Sequence, residues 1–146
     1  MPLPRRLIAA ALALGAAATG ACGGGPPADL FVVQRSGSIP GARLTLRLTD
    51  DGGAYCNRGG RAEITSAELI EGRALVRELN GKPDAPGLAD RRLRLAPRQG
   101  SILRYAVRSQ DGTVAFADNS AGRPTALARL AKLTRDVAKG ACRLPR

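Results

Sequence analysis

Three cysteines, Cys22, Cys56 and Cys142, are the soft nucleophiles of a 146-residue chain that contains no histidine. Histidine is the usual general base, proton shuttle and metal ligand near neutral pH. Without it, Ser-His-Asp and Cys-His catalysis are ruled out. Gly81-Lys82 lacks the upstream glycine and the following Ser or Thr of a P-loop, and no stretch has EF-hand spacing. Asp118-Asn119-Ser120 offers oxygens to a calcium ion, but such a run more commonly shapes a loop or caps the helix that follows. Glu63, Glu68, Glu71 and Glu78 include pairs of the kind glycoside hydrolysis uses. Arginines lie beside them, so solvated ion pairs are the plainer account. The expectation is a protein that is not an enzyme, with no catalytic residues, no cofactor and no metal.

The remaining chemistry is cationic. The formal net charge is +11. Only Lys82, Lys132 and Lys139 are lysines, so arginine carries nearly all of it. Arg43 and Arg47 share the polar phase of one alternating stretch, and Arg104 and Arg108 share that of another. Arg94 lies between them in sequence, with Arg91, Arg92 and Arg98 around it. A guanidinium group offers a planar fork of donors that matches phosphate and carboxylate. These arginines are therefore candidate ligand-binding residues for an anionic partner. A solvated basic face that keeps strand edges from pairing is the plainer account. Aromatic residues make up 3% of the chain and Trp is absent, which removes the base-stacking platforms of single-strand recognition, so no nucleic acid is expected.

The positions of these side chains follow from the hydrophobic pattern. Leu30 to Arg35 is rich in β-branched and aromatic residues and reads as a strand. Arg43 to Thr49 alternates strictly, with Leu44, Leu46 and Leu48 on one face. Asp50-Asp51-Gly52-Gly53 is a hairpin turn, and Ala54-Tyr55-Cys56 returns. Thr65 and Glu68 have capping-box spacing before a helical stripe of Leu69, Gly72, Leu75, Val76 and Leu79, with Gly81 past its end. Residues 83–92 read as a loop, and Leu93-Arg94-Leu95 as a short edge strand before Pro97. Leu103, Tyr105 and Val107 alternate with Arg104 and Arg108, Asp111-Gly112 is the expected turn, and Val114 and Phe116 return. Pro124 fits the first turn of a last helix that buries Leu127, Leu130, Ala131, Thr134, Val137 and Ala138 and stops at Gly140. The expected fold is α+β: one antiparallel sheet of about five strands with two helices on one face, in the order β-β-β-α-β-β-α.

The amino-terminal segment has a separate logic. Arg5-Arg6 precedes an apolar run from Leu7 to Ala18, and small residues lead to Cys22. That is the three-part pattern of a secretory signal, and the run is too short for a spanning helix, which needs about 20 residues. Thr19-Gly20-Ala21-Cys22 resembles a bacterial lipobox, with Thr19 where that family usually has an aliphatic residue. The resemblance implies that residues 1–21 are removed and that Cys22 is acylated. The protein would then sit as a lipid-anchored lipoprotein on the extracytoplasmic face of the cell membrane. The alternative is an ordinary cleaved signal with Cys22 as a spare thiol. Residues 22–29 then read as the lipidated cysteine and a Gly/Pro tether, and 30–146 as one globular domain. Removing the signal takes away two arginines and no acid, so the remainder stays strongly basic. Two thiols are left, too few for the common zinc sites. In an oxidising compartment Cys56 and Cys142 are expected to pair as a disulfide; the alternative is two buried thiols.

A second resemblance covers most of residues 30–139. "FVVQRSGSIPG", the middle helix, "LRYAVRSQDGTVAFADNS" and "PTALARLAKL" follow in an order similar to the emfourin-type inhibitors of thermolysin-like metalloproteases. It implies a non-enzymatic binding module with a protein partner such as a protease, and it transfers no inhibitory residue. The competing expectation is an arginine surface that binds anionic envelope polymers or lipid headgroups.

Overall fold

A computed structural model describes residues 25–144. Cys22, the signal-like segment and the first glycines of the tether lie outside the described residues. The elements in chain order are β1 (Asp29–Gly37), β2 (Leu44–Thr49), β3 (Gly53–Cys56), β4 (Arg61–Glu63), α1 (Ser66–Asn80), β5 (Gly81–Lys82), β6 (Ala85–Pro86), β7 (Leu103–Ser109), β8 (Gly112–Ala117) and α2 (Thr125–Lys139). Six strands form one sheet in the order β4-β3-β2-β1-β7-β8, every neighbouring pair antiparallel. The α+β class expected from the pattern is the class observed.

Alternation sorts the sheet into two faces. Phe31 and Val33 of β1, Leu44, Leu46 and Leu48 of β2, Tyr105 and Val107 of β7, and Val114 and Phe116 of β8 are buried in one cluster with the apolar stripes of both helices. Tyr105 and Phe116 stack there with ring centroids 4.9 Å apart. A register shift between Asp29 and Phe31 buries Leu30 as well as Phe31. Leu30 reaches α1 at Gly72, where an added Cβ would meet its Cδ1 at 3.2 Å and Leu133 of α2 at 4.0 Å. Glycine inside this helix thus lets it approach both β1 and α2. Thr65 and Glu68 form the expected capping box.

The sheet has six strands where about five were expected. The addition is β4, three residues at the sheet edge, too short to show an alternating pattern of its own. Residues 81–86, read as the helix stop and a loop, hold a second sheet of two residues per strand. Leu93–Leu95 makes one parallel bridge, Arg94 to Ala115, beside β8. The β7–β8 turn sits one residue earlier than expected, because Gly112 is already paired with Ser109. Gly112 is needed there, since a Cβ would lie 2.4 Å from the Ala89 carbonyl oxygen. Pro124 caps α2 from just outside its first turn.

Cys56 and Cys142 form the disulfide, with Cα atoms 6.0 Å apart and a sequence separation of 86. It ties β3 to the turn after α2, where the Cys142 amide donates to the Val137 carbonyl at 3.0 Å. Closing a loop of that length constrains the unfolded chain by about 4.6 kcal/mol in the chain-entropy model. Cys56→Ala with Cys142→Ala is expected to lower the unfolding free energy by about 2–5 kcal/mol. Urea unfolding of the oxidised protein against the variant measures it.

Candidate functional site

The face turned away from the helices carries the polar half of each alternation. Val32 of β1 stands opposite both Arg47 and Arg108, Gln34 opposite Thr45 and Ala106, and Ser36 opposite Arg104. The arginines therefore come in two tiers along β1, separated by a neutral row. Four residues of strand put these tiers about 13 Å apart.

Half of this face is concave. A cavity of about 600 Å³ has Gln34, Ser36 and Ala106 at its floor. Arg43, Thr45 and Asn57 line it from the β2 side, Leu95, Pro97, Ala115 and Ala117 from the β8 side, and Arg104 from β7. None of its lining residues is acidic.

Each wall is fixed by hydrogen bonds. Asn57 has φ 55°, and its amide donates to the Thr45 carbonyl at 2.7 Å. Its side-chain oxygen accepts from the Thr45 amide at 3.0 Å. On the other side, the Leu95 amide donates to the Ala115 carbonyl at 2.8 Å, and the Ala115 amide donates to Leu93 at 3.0 Å. Asp118, Asn119 and Ser120 stitch this wall to the sheet. The Asn119 side chain accepts from the Arg98 amide at 2.9 Å and donates to the Gln99 carbonyl at 3.1 Å. Ser120 Oγ accepts from the Ala117 amide at 2.9 Å and donates to the Leu95 carbonyl at 3.3 Å. Asp118 accepts from Ser101 Oγ at 2.9 Å and from the Ile102 amide at 3.3 Å. The triplet shapes a loop, and among the described residues no group of three or more Asp, Glu or Cys side chains is placed to hold a metal ion.

The candidate arginines divide. Arg43 and Arg104 meet in the cavity. Arg47 does not line it: its guanidinium lies over the Tyr55 ring, 4.0 Å from the centroid, and 3.5 Å from the Asp29 carboxylate. Arg108 shares the face at the Arg47 tier but stands outside the cavity, and Arg94 is exposed at the sheet's edge. The residues that pattern alone did not single out are Gln34, Thr45, Asn57, Leu95 and Pro97. Gln34 and Thr45 carried a signal, since both fall on the polar phase of their strands. Asn57, Leu95 and Pro97 had none, because their place depends on how two loops dock.

The clustered glutamates are engaged elsewhere. Glu63 pairs with Arg61, and Glu68 caps α1 through Thr65. Glu71 and Glu78 both accept from Arg129, at 2.8 and 2.5 Å. No family model matches the chain, and no curated protein or solved structure matches it.

Asp118 reports on the integrity of the cavity wall. Burial pushes its carboxyl up, but the donors from Ser101, Ile102, Leu103 and Asn119 together outweigh burial and hold it below the usual carboxylate value of 3.8. A lowered folded-state value means the stabilisation is complete above the ordinary carboxylate range and is lost as pH falls through the lowered value. Asp118→Ala is expected to cost about 1–3 kcal/mol at neutral pH. In urea melts that difference should shrink below about pH 4, where the carboxyl of the unfolded chain begins to protonate, and should vanish once pH falls below the lowered folded-state value.

Proposed function

We propose that the chain is an exported, membrane-anchored lipoprotein whose folded part is a non-enzymatic binding module, with the open face of the sheet taking an anionic ligand. The observation that carries the reading is a concave site with two guanidinium groups, Arg43 and Arg104, and no carboxylate in its lining. Like charges gathered without acids repel one another, and a bound anion relieves that repulsion. Arginine forks suit phosphate and carboxylate groups, and they hold them bidentately. Gln34, Ser36, Thr45 and Asn57 supply neutral donors and acceptors for the rest of such a ligand. The Leu95 and Pro97 wall gives an apolar flank. The ligand class is therefore a phosphate- or carboxylate-bearing envelope polymer or lipid headgroup, with acidic side chains of a partner protein, such as a protease, as the second reading. The apolar flank favours that second reading as well, because protein interfaces combine an apolar centre with a polar rim.

The test is Arg43→Glu with Arg104→Glu, both exposed, so folding should be retained. Polyphosphate and vesicles containing phosphatidylglycerol are the probes. Binding of the wild type should fall about tenfold or more between roughly 50 and 200 mM salt, the behaviour of multi-site ionic contact. The double variant should show no binding to either probe. Undiminished binding by the variant removes the open face as the site. Inhibition of a thermolysin-like protease that persists at high salt would replace the polyanion with a protein partner.

The anchor has its own test. Cys22→Ser should move the protein from the membrane fraction to the soluble fraction, and mass spectrometry of the wild type should show a diacylglyceryl mass on Cys22. Retention of the variant at full level counts against the anchor.

A further inference from the structure

A second concavity lies on the helix side of β1, at the same end of the sheet. It has a volume of about 360 Å³ and sits between the 39–42 loop and the last turn of α2. Small-molecule sites span roughly 300–1,000 Å³ and are mostly apolar with a few placed polar groups. This cleft has that composition: Ile39, Pro40, Leu103, Ala138 and Leu144 line it, and its charged rim is Arg35, Arg135, Asp136 and Lys139.

Three features point to what fits there. First, the rim is cationic in net effect. Asp136 is held by Lys132 at 2.6 Å, while Arg135 and Lys139 have no carboxylate partner among the described residues. Second, Arg35 is fixed in place by carbonyls and not by an acid. Its Nε donates to the Ala42 carbonyl and its Nη2 to the Gly41 carbonyl, both at 3.0 Å. Its charge is thus retained at the cleft. The partial negative charge at the end of α2 is about half a unit, so the two full charges of Arg135 and Lys139 outweigh it. Third, the mouth is apolar. Among the described residues the exposed large hydrophobic side chains are Ile39, Ile70 and Ile102. Ile39 lines the cleft, and Ile102 stands beside it, its carbonyl accepting from the Ser38 amide at 3.2 Å. Exposed apolar side chains gathered at one place mark a binding surface more often than scattered ones do.

We propose that this cleft binds a single-chain anionic amphiphile, an alkyl carboxylate or alkyl phosphate, with the tail against Leu103, Ala138 and Leu144 and the head among Arg35, Arg135 and Lys139. The tail is what distinguishes it from the open-face ligand, which needs none.

Titration calorimetry of the purified full chain tests this with hexanoate, octanoate and decanoate below their micelle concentrations. One molecule should bind per chain, and each added methylene should tighten binding about twofold to fourfold until the cleft is full. Decyl phosphate should bind as decanoate does, and decyltrimethylammonium should not bind. Arg135→Glu with Lys139→Glu, both exposed, should weaken decanoate about tenfold or more. Arg43→Glu with Arg104→Glu should leave decanoate binding unchanged, which keeps failure here distinct from failure of the open face. A flat dependence on chain length, equal binding of the cationic amphiphile, or undiminished affinity in the Arg135/Lys139 variant overturns the proposal. Loss of decanoate binding in the Arg43/Arg104 variant also overturns it, by placing the ligand on the other face.

Discussion

A sheet covered by helices on one side must present its other side to water, and strand alternation decides which side chains stand there. Phe31 and Val33 lie under the helices together with Leu44, Leu46 and Leu48, so Val32, Gln34, Ser36, Thr45 and Arg47 are committed to the open face. A one-residue slip in β1–β2 pairing would turn the leucines outward and the arginines inward. The burial of the leucines therefore holds the cationic face in register. Adding a third hydrophobic layer over that face would need the arginines to be desolvated, which is costly without paired acids.

The two helices could not close over the other face without close contact among themselves. Gly72 supplies it, by removing the side chain that would separate α1 from Leu30 and Leu133. Arg129 adds a polar clasp outside, bridging Glu71 and Glu78 of α1 from α2. Such partly exposed pairs contribute little individually, so the packing beneath them carries most of the contact. The disulfide acts at the far end of α2, on a segment whose Ala141, Cys142 and Leu144 are only partly buried against the core. With aromatics so scarce, the core is built from many small aliphatic contacts, and a covalent tie from β3 to the last turn reduces the freedom such a chain regains on unfolding.

Elements long enough to show a period were legible in the sequence, and elements shorter than one period were not. β2 and β7 declared both their faces through leucine and arginine alternation. α1 and α2 declared themselves through cap and stripe. β4 has three residues and β5 and β6 have two each, so no period exists to be read. The same limit divides the candidate site. Arg43 and Arg104 were legible because they sit on or beside alternating strands. That Arg47 leans on Tyr55 instead of entering the cavity was not, because it depends on the neighbour that β3 brings alongside. Nor was the Leu95–Pro97 wall, whose position rests on the backbone of Ala115 and the side chains of Asp118, Asn119 and Ser120.

The direction of β1 relates the two concave sites to the amino-terminal tether. β1 begins at Asp29, directly after the exposed Pro26-Pro27-Ala28, and ends at Gly37, about 26 Å away by strand rise. The open-face cavity takes its β1 residues from Gln34 onward, and the helix-side cleft takes Arg35 and the loop after it. Both sites therefore lie at the end of β1 remote from the tether. If Cys22 carries the proposed lipid, the extended residues 23–28 reach about 20 Å at most and hold the Asp29 end toward the bilayer. The binding end then faces away from the anchoring membrane, so its ligand approaches from outside that bilayer.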